Sequence, residues 1–326
     1  MSTATPVPET WELTGDDARR VLGSCGRRAL LRDAFVRLRV ADGFSHARSL
    51  AYATSLVFVQ ATIALVGLAS ALGNGSSDVI VRTIRAAIPG PAGELMIQAV
   101  VQAHNAGASH RWAGLTFGLV GTLVTGSTLL GQVERGLNRI YGVEQDRPTV
   151  KKYGLALLLT ITAGLLAIGA FTLLAFGQSI GDSIHNPTVN RVWGVARWPV
   201  AIVLVIVATT LVFRYSPRRR QPSLSWLAFG ASVSTALWLI VTIGLGAFFS
   251  LSKSFGQTYG PLAGVVALLL WALLASIALL FGGAVTAQLE AVRAGIRAPQ
   301  DEEKVAHSEP ESGDEGERPA FAGLRP

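Results

Sequence analysis

Six long stretches of this chain consist almost entirely of uncharged, mostly apolar residues. About 20 such residues in an α-helix cross the hydrocarbon core of a bilayer, and backbone polar groups in lipid must bond within the segment. Each stretch therefore predicts a transmembrane helix. Only 15% of all residues are charged, compared with roughly 25% in soluble domains. The six predicted spans are Leu50–Leu72, Trp112–Val133, Tyr153–Gly177, Val192–Phe213, Ser223–Ser250 and Pro261–Leu289.

The segments outside the spans alternate between many and few basic residues. From the N-terminus onward they contain eight, three, five, two, four, one and five lysines and arginines, where Arg197, near the start of the fourth span, is counted with the connection before it; the net charge of the chain is +7. Cytosolic segments of membrane proteins are the ones enriched in Lys and Arg. The alternation therefore predicts that both termini lie in the cytosol, which requires an even number of spans. The predicted fold class is an all-α integral membrane protein with six transmembrane helices.

The segments outside the predicted spans divide the chain further. Residues 1–26 are expected to be a flexible N-terminal segment, and residues 27–48 a basic amphipathic cytosolic helix that either contacts anionic lipid or packs on the cytosolic loops. The transmembrane domain is assigned to residues 49–292, and the first external loop is expected to contain two short helices. Residues 293–326, rich in Glu, Asp, Pro, Gly and Ser, are expected to be a disordered acidic tail.

No pattern of catalytic residues is visible in the sequence. Asp, Glu, Lys and His are absent from the middle of every predicted span, and the five histidines show no HExxH spacing. Cys25 is the sole cysteine, so an intrachain disulfide is impossible. We therefore expect no enzymatic activity, no metal site and no cofactor. The basic residues follow the topology instead of forming one face, so no nucleic-acid partner is expected either.

Polar residues cluster where the second span ends. Glu134 and Asn138 are four residues apart, as are Arg135 and Arg139, so they form two adjacent stripes on one helix. One interpretation is a cytosolic site for an anionic head group; the other is a topogenic helix end with a local ion pair.

Two further residues are candidates for lining a polar path. Gln60 lies midway along the first span, where its amide needs a partner in a neighbouring helix or a wet cavity. Tyr259 lies just before the sixth span. A Gly114-xxx-Gly118 pair in the second span is typical of close helix packing, either within the chain or between two copies.

Three segments together resemble the BrkB/YihY family of bacterial inner-membrane proteins. They are DGFSHARSLAY (Asp42–Tyr52), GQVERGLNRIYGV (Gly131–Val143) and FGQTYGPLAGVVALLLW (Phe255–Trp271). The resemblance implies six transmembrane helices in the bacterial plasma membrane and no settled activity. Members are linked to virulence, serum resistance and the export of lipid or lipopolysaccharide precursors. An old ribonuclease label of the family finds no support in these residues.

Two functions follow as hypotheses. The first is a transporter or flippase-like protein for an amphiphilic anionic lipid or envelope precursor, with Arg135, Asn138 and Arg139 contacting the head group. Its partners would be anionic lipids of the cytosolic leaflet. The alternative is a non-transporting scaffold that organises envelope partners through its glycine-rich helix faces. A membrane-bound hydrolase is the least supported class, because no nucleophile or metal pattern is present.

Overall fold

The computed structural model describes residues 3–72, 111–182, 187–251, 261–296 and 298–300, with a few isolated positions between 81 and 101. Two shorter helices come first, α1 (Gly15–Cys25) and α2 (Arg27–Val40). Six long helices follow: α3 (Gly43–Leu72), α4 (Arg111–Ile140), α5 (Thr149–Asp182), α6 (Pro187–Tyr215), α7 (Leu224–Leu251) and α8 (Pro261–Arg293). The predicted external-loop helices, Tyr259 and most of the acidic tail lie outside these ranges.

The long helices coincide with the predicted spans. All six spans fall inside α3–α8, except that Ser223 lies one residue before α7. Pro187 and Pro261 begin α6 and α8, where a missing N–H costs nothing because the first helical N–H groups have no partner in the helix. Among the residues that the structure describes, five helices are long and apolar enough to cross a membrane, namely α4 to α8. The 30-residue α3 contains the first predicted span, but it is not one of these five.

The six long helices form a closed ring. Each packs against the next one in sequence, and α8 packs against α3. Large apolar side chains cover the outside of this ring, among them Val120, Leu165, Val203, Ile243 and Leu262, all more than half exposed. Soluble monomers rarely expose contiguous apolar surface of this extent. The outer surface therefore has the character of helices that face lipid.

Glycines allow two pairs of helices to approach closely. Gly118 on α4 lies against the backbone of Ala64 on α3, and Gly114 lies nearby against Gly67. The Gly114–Gly118 pair therefore serves packing within the chain, one of the two uses that its spacing predicted. On the other side of the ring, a methyl group at Gly230 of α7 would overlap Thr286 of α8.

The first and last described segments of the chain meet at one end of the ring. The Thr5 N–H donates to the Pro299 carbonyl at 3.1 Å, and Ala4 forms an isolated bridge with Gln300. The same end holds the α4–α5 and α6–α7 connections, because the Val7 N–H donates to the Tyr141 carbonyl and the Ser223 N–H to the Leu13 carbonyl. We call this the basic end and define it by residues 3–14, 141–148, 216–223, 294–296 and 298–300.

The N-terminal region has more defined structure than the sequence indicated. Residues 1–26, expected to be flexible, include α1 and an extended stretch that lies across the basic end. The helix expected over residues 27–48 is divided into α2 and the first turn of α3. The division occurs at Asp42, which adopts φ 55°, a left-handed conformation that ends one helix before the next begins.

Candidate functional site

The polar residues at the end of α4 join the two connections of the basic end. Asn138 is fully buried; its Nδ2 donates to Asp146 Oδ1 at 3.0 Å, and its Oδ1 accepts from the Arg218 N–H at 2.8 Å. Glu134 is also buried and accepts from the Arg147 N–H at 3.1 Å, with the Arg147 guanidinium 3.5 Å away. Both side chains thus hold loops in place in this conformation.

Arg135 and Arg139 lie on the neighbouring stripe and are less enclosed. Arg135 Nε donates to Asp146 Oδ2 at 3.2 Å, but its side chain remains 48% exposed. Arg139 donates to the carbonyls of Val143 and Glu144 at 3.1 and 2.6 Å. Of the three predicted head-group residues, Arg135 is therefore the cation with the most exposed side chain.

Asp146 accepts hydrogen bonds from three side chains. Asn138, Arg135 and Lys152 all donate to its carboxylate, with Lys152 Nζ 3.2 Å away. Partial burial raises the pKa of Asp146, but these hydrogen bonds and the charge of Lys152 outweigh burial and hold its pKa below the ordinary value. The carboxylate is therefore ionised at neutral pH and fixes the α4–α5 connection.

Gln60 lies at the contact between α3 and α4. Its Oε1 is buried, lies against Gly121 and accepts no hydrogen bond from the part of the chain that is described. A side chain at position 121 would displace it, so the missing Cβ of Gly121 creates the space for the amide.

A second polar cluster lies beneath the N-terminal segment. Arg219 Nη2 donates to Glu290 Oε1 at 2.7 Å, in an ion pair whose side chains are 2% and 0% exposed. Thr10 Oγ1 donates to the same carboxylate oxygen, and the Arg219 guanidinium lies 4.5 Å from the centre of the Tyr141 ring. Burial raises the pKa of the Tyr141 hydroxyl, so it stays neutral.

Arg37 is another buried cation at this end. Its Nε donates to Gln288 Oε1 at 2.7 Å, and its Nη1 donates to the carbonyls of Thr5 and Ile140. Burial lowers the pKa of Arg37 to about 10, which still leaves it charged at neutral pH. Arg37 thereby connects α2, the end of α8, the end of α4 and the N-terminal segment.

Sequence reasoning missed the importance of Arg37, Arg219 and Glu290. Arg37 is one of several arginines in the predicted basic amphipathic helix, but it is seven residues after Leu30 and so shares the buried face with Leu30, Ala34 and Leu38. That spacing was a usable signal. Glu290 offered another, because it is the single acidic residue of α8.

A cavity of about 290 Å³ lies between the six long helices. Every one of them contributes to its wall, through residues that include Thr54, Leu130, Ala163, Thr209, Ser234 and Ser276. The hydroxyl groups of Ser276 and Thr235 donate hydrogen bonds to carbonyls of their own helices, so they are not available as donors to a molecule in the cavity. The wall is therefore mainly apolar, and its size is close to the lower limit of small-molecule pockets.

The cavity is separated from the polar clusters by apolar side chains. Leu50, Val133 and Val212 line it and are almost completely buried. Val133 directly precedes Glu134, so the apolar wall and the polar layer are adjacent along α4. Arg135, Arg139 and Gln60 do not belong to the lining residues. Over the described ranges, no group of three His, Cys, Asp or Glu side chains is placed to hold a metal ion.

Comparison with known proteins gives related membrane proteins. The chain is 26% identical to a ribonuclease-like protein, YfkH, of Bacillus subtilis over 267 residues, which cover 80% of this chain and 95% of that protein. It is 29% identical over 306 residues to a UPF0761 membrane protein of Rhodospirillum rubrum, covering 87% of this chain and 64% of the relative. A UPF0761 membrane protein of Halorhodospira halophila is 27% identical over 186 residues, 54% of this chain and 39% of the relative.

The chain thus spans nearly all of the Bacillus relative but less than two thirds of the other two. No solved structure shows significant similarity to it. The family model described as Virulence factor BrkB matches residues 34–307, which include all six long helices and the polar clusters between α2 and α8. This multi-helix membrane protein therefore belongs to the Virulence factor BrkB family.

Proposed function

We propose that this protein is a bacterial plasma-membrane transporter or flippase-like protein for an amphiphilic anionic lipid or envelope precursor. The observation that carries the proposal is the apolar cavity to which all six long helices contribute. A cavity of this character and size accepts part of an acyl or isoprenoid chain, because apolar groups gain free energy when they leave water or a polar interface.

The proposed topology has six crossings and a cytosolic basic end. Contact between the two chain ends supports an even number of crossings. The Lys/Arg-rich N-terminal region, the α4–α5 connection and the α6–α7 connection adjoin this end, which supports its placement on the cytosolic side. Anionic lipids of that leaflet would be attracted to its surface, at roughly 1 kcal/mol per nearby basic residue.

The proposed head-group contact is Arg135, helped by Arg139. Arg135 is partly exposed and adjoins the end of α4, close in sequence to the cavity-lining Val133. Asn138 and Glu134 support the contact indirectly, because they fix the loops on either side. Gln60 is proposed to offer a polar contact between α3 and α4, and Tyr259 remains a proposed lining residue.

The exposed side of α2 is suited to contact with the cytosolic leaflet. Leu31 and Phe35 are exposed although α2 buries its other apolar face against α8, and the Phe35 ring packs edge-on against Phe44 at the start of α3. Exposed leucine and phenylalanine beside arginines are typical of helices that lie in a membrane interface. We therefore include contact between α2 and the cytosolic leaflet in the proposal.

A reconstitution experiment tests the transport proposal. Purified protein in liposomes should move fluorescent anionic lipids between leaflets faster than empty liposomes do. Ala163→Leu combined with Ala275→Leu fills the cavity and should abolish this transfer, whereas Ala236→Leu, an equal change on the exposed face of α7, should leave it intact. Transfer no faster than in empty liposomes across a panel of anionic lipids would refute transport.

A labelling experiment tests the topology separately. Cys25 is the natural reporter of the N-terminal side, and a cysteine placed at position 298 in a Cys25→Ser background reports the C-terminal side. In inside-out vesicles, a membrane-impermeant maleimide should react with both positions. Reaction with only one of them would contradict the six-crossing arrangement.

A further inference from the structure

A second cavity, of about 410 Å³, lies at the basic end beside the α6–α7 connection. Four arginines line it: Arg147, Arg214, Arg219 and Arg220. No carboxylate belongs to its lining, which is completed mainly by the aromatic rings of Trp11 and Tyr215. The cavity is distinct from the apolar one between the long helices, with which it shares no lining residue.

Two of the arginines are held rigidly by backbone carbonyls. Arg147 donates to the Ser216 and Pro217 carbonyls at 2.5 and 2.7 Å, and Arg214 donates to the carbonyls of Gln221 and Pro222. Carbonyls orient a guanidinium group but do not neutralise it. The two side chains therefore bring fixed positive charge to the cavity wall at no further cost in side-chain entropy.

Arg219 offers buried donors that the protein itself leaves unused. Its side chain is 2% exposed, and its Nη2 donates to Glu290 and to the Pro8 carbonyl. Its Nε and Nη1 are buried and have no hydrogen-bond partner among the described residues. A buried donor without an acceptor is unfavourable, so an acceptor supplied by a ligand would be favoured here.

The charges around the cavity leave a positive excess. Glu134 lies 3.5 Å from Arg147, Glu290 pairs with Arg219, and Glu9 accepts from the Arg220 N–H at the exposed rim. Four positively charged guanidinium groups are therefore accompanied by three negatively charged carboxylates. The Arg220 guanidinium lies 5.4 Å from the centre of the Trp11 ring, so two of the lining side chains pack against each other.

We propose that this arginine cavity binds a phosphate group, either inorganic phosphate or the phosphate of a lipid head group. Guanidinium groups match the geometry of phosphate oxygens and bind them with paired N–H donors. The exposed Tyr215 at the end of α6, together with Trp11, gives the rim the character of a membrane interface, where a lipid phosphate would be within reach. The inference does not depend on transport.

Isothermal titration of the full-length protein tests the site. In a non-ionic detergent at constant ionic strength, one arm uses inorganic phosphate and the other uses phosphatidic acid in mixed micelles, with diacylglycerol as the phosphate-free comparison. Arg220→Gln should weaken binding about tenfold, as expected for the loss of one charge-assisted contact. Arg19→Gln removes the same charge at a well-exposed position on α1 and should change nothing.

The outcomes separate the two sources. Binding of inorganic phosphate that Arg220→Gln weakens supports a soluble phosphate ligand, and binding of phosphatidic acid alone supports a lipid phosphate. Absence of binding in both arms would overturn the proposal. So would binding that is equally strong in wild type, Arg220→Gln and Trp11→Ala, the last being a rim variant at an exposed position. The liposome assay uses leucine substitutions in the apolar cavity, whereas the titration uses substitutions in the arginine cavity. Failure of transport and failure of phosphate binding can therefore be distinguished.

Discussion

Asn138 joins Asp146 and the α6–α7 connection with one buried amide, donating to the Asp146 carboxylate at 3.0 Å while it accepts from the Arg218 N–H at 2.8 Å. The amide is suited to this position because it is a donor and an acceptor at once. It therefore couples two loops that are separated by about 70 residues in sequence and that both belong to the basic end.

Replacing Asn138 should destabilise the protein. In Asn138→Ala the Asp146 carboxylate and the Arg218 N–H each lose a buried partner, with an expected loss of about 1–3 kcal/mol. Thermal unfolding of the purified protein in detergent measures the effect. Thr128→Ala, an exposed change on the same helix whose hydroxyl bonds to the Val124 carbonyl, should shift the melting temperature little. Equal melting temperatures for both variants would contradict the role of Asn138.

Stability should fall in acid because of Asp146. Its pKa is lower in the folded state than in the unfolded chain, so its contribution is complete above the unfolded pKa of about 4 and disappears as pH falls through the folded pKa. Melting temperatures measured from pH 6 to pH 3 should decline toward the acid end. Asp146→Asn should be less stable at pH 6 and should show a shallower decline; parallel curves for the two proteins would argue against the assignment.

A methyl group at Gly230 should disturb the contact between α7 and α8. It would overlap Thr286 and lie 2.5 Å from the Gly282 carbonyl oxygen, so the two helices would have to separate. We expect Gly230→Ala to cost about 1–3 kcal/mol, as overpacking usually does. Gly244→Ala is the matched control on the same helix, since its methyl group meets no atom within 4 Å. Urea-dependent unfolding in mild detergent distinguishes the variants.

Removing the carboxylate of the Arg219–Glu290 pair should lower the stability of the protein. Glu290→Gln leaves Arg219 buried without its counter-ion, and breaking a buried pair in this way costs about 3–5 kcal/mol. The expected result is a large drop in melting temperature and increased protease cleavage within residues 3–14, which cover the pair. Asp16→Asn breaks the exposed pair with Arg19 and should leave both measurements unchanged.

The positions of the long helices were predictable, but the roles of their polar residues were less so. The sequence placed Glu134, Arg135, Asn138 and Arg139 on one helix as it leaves the apolar stretch, and α4 does continue to Ile140. Spacing alone left open whether they bind a head group or stabilise the helix end. The structure shows that Glu134 and Asn138 hold loops, while Arg135 retains exposed surface.

Hydropathy and charge by themselves determined the positions of the long helices and the grouping of the basic segments, because membrane insertion depends on local composition over about 20 residues. Only the tertiary structure decided which charges are buried together. Arg37 meets Gln288 across 251 residues of sequence, and Arg219 meets Glu290 across 71. Such pairs depend on how the ring closes between α8 and α3. The residue pattern within a single helix does not predict which distant helix it will contact.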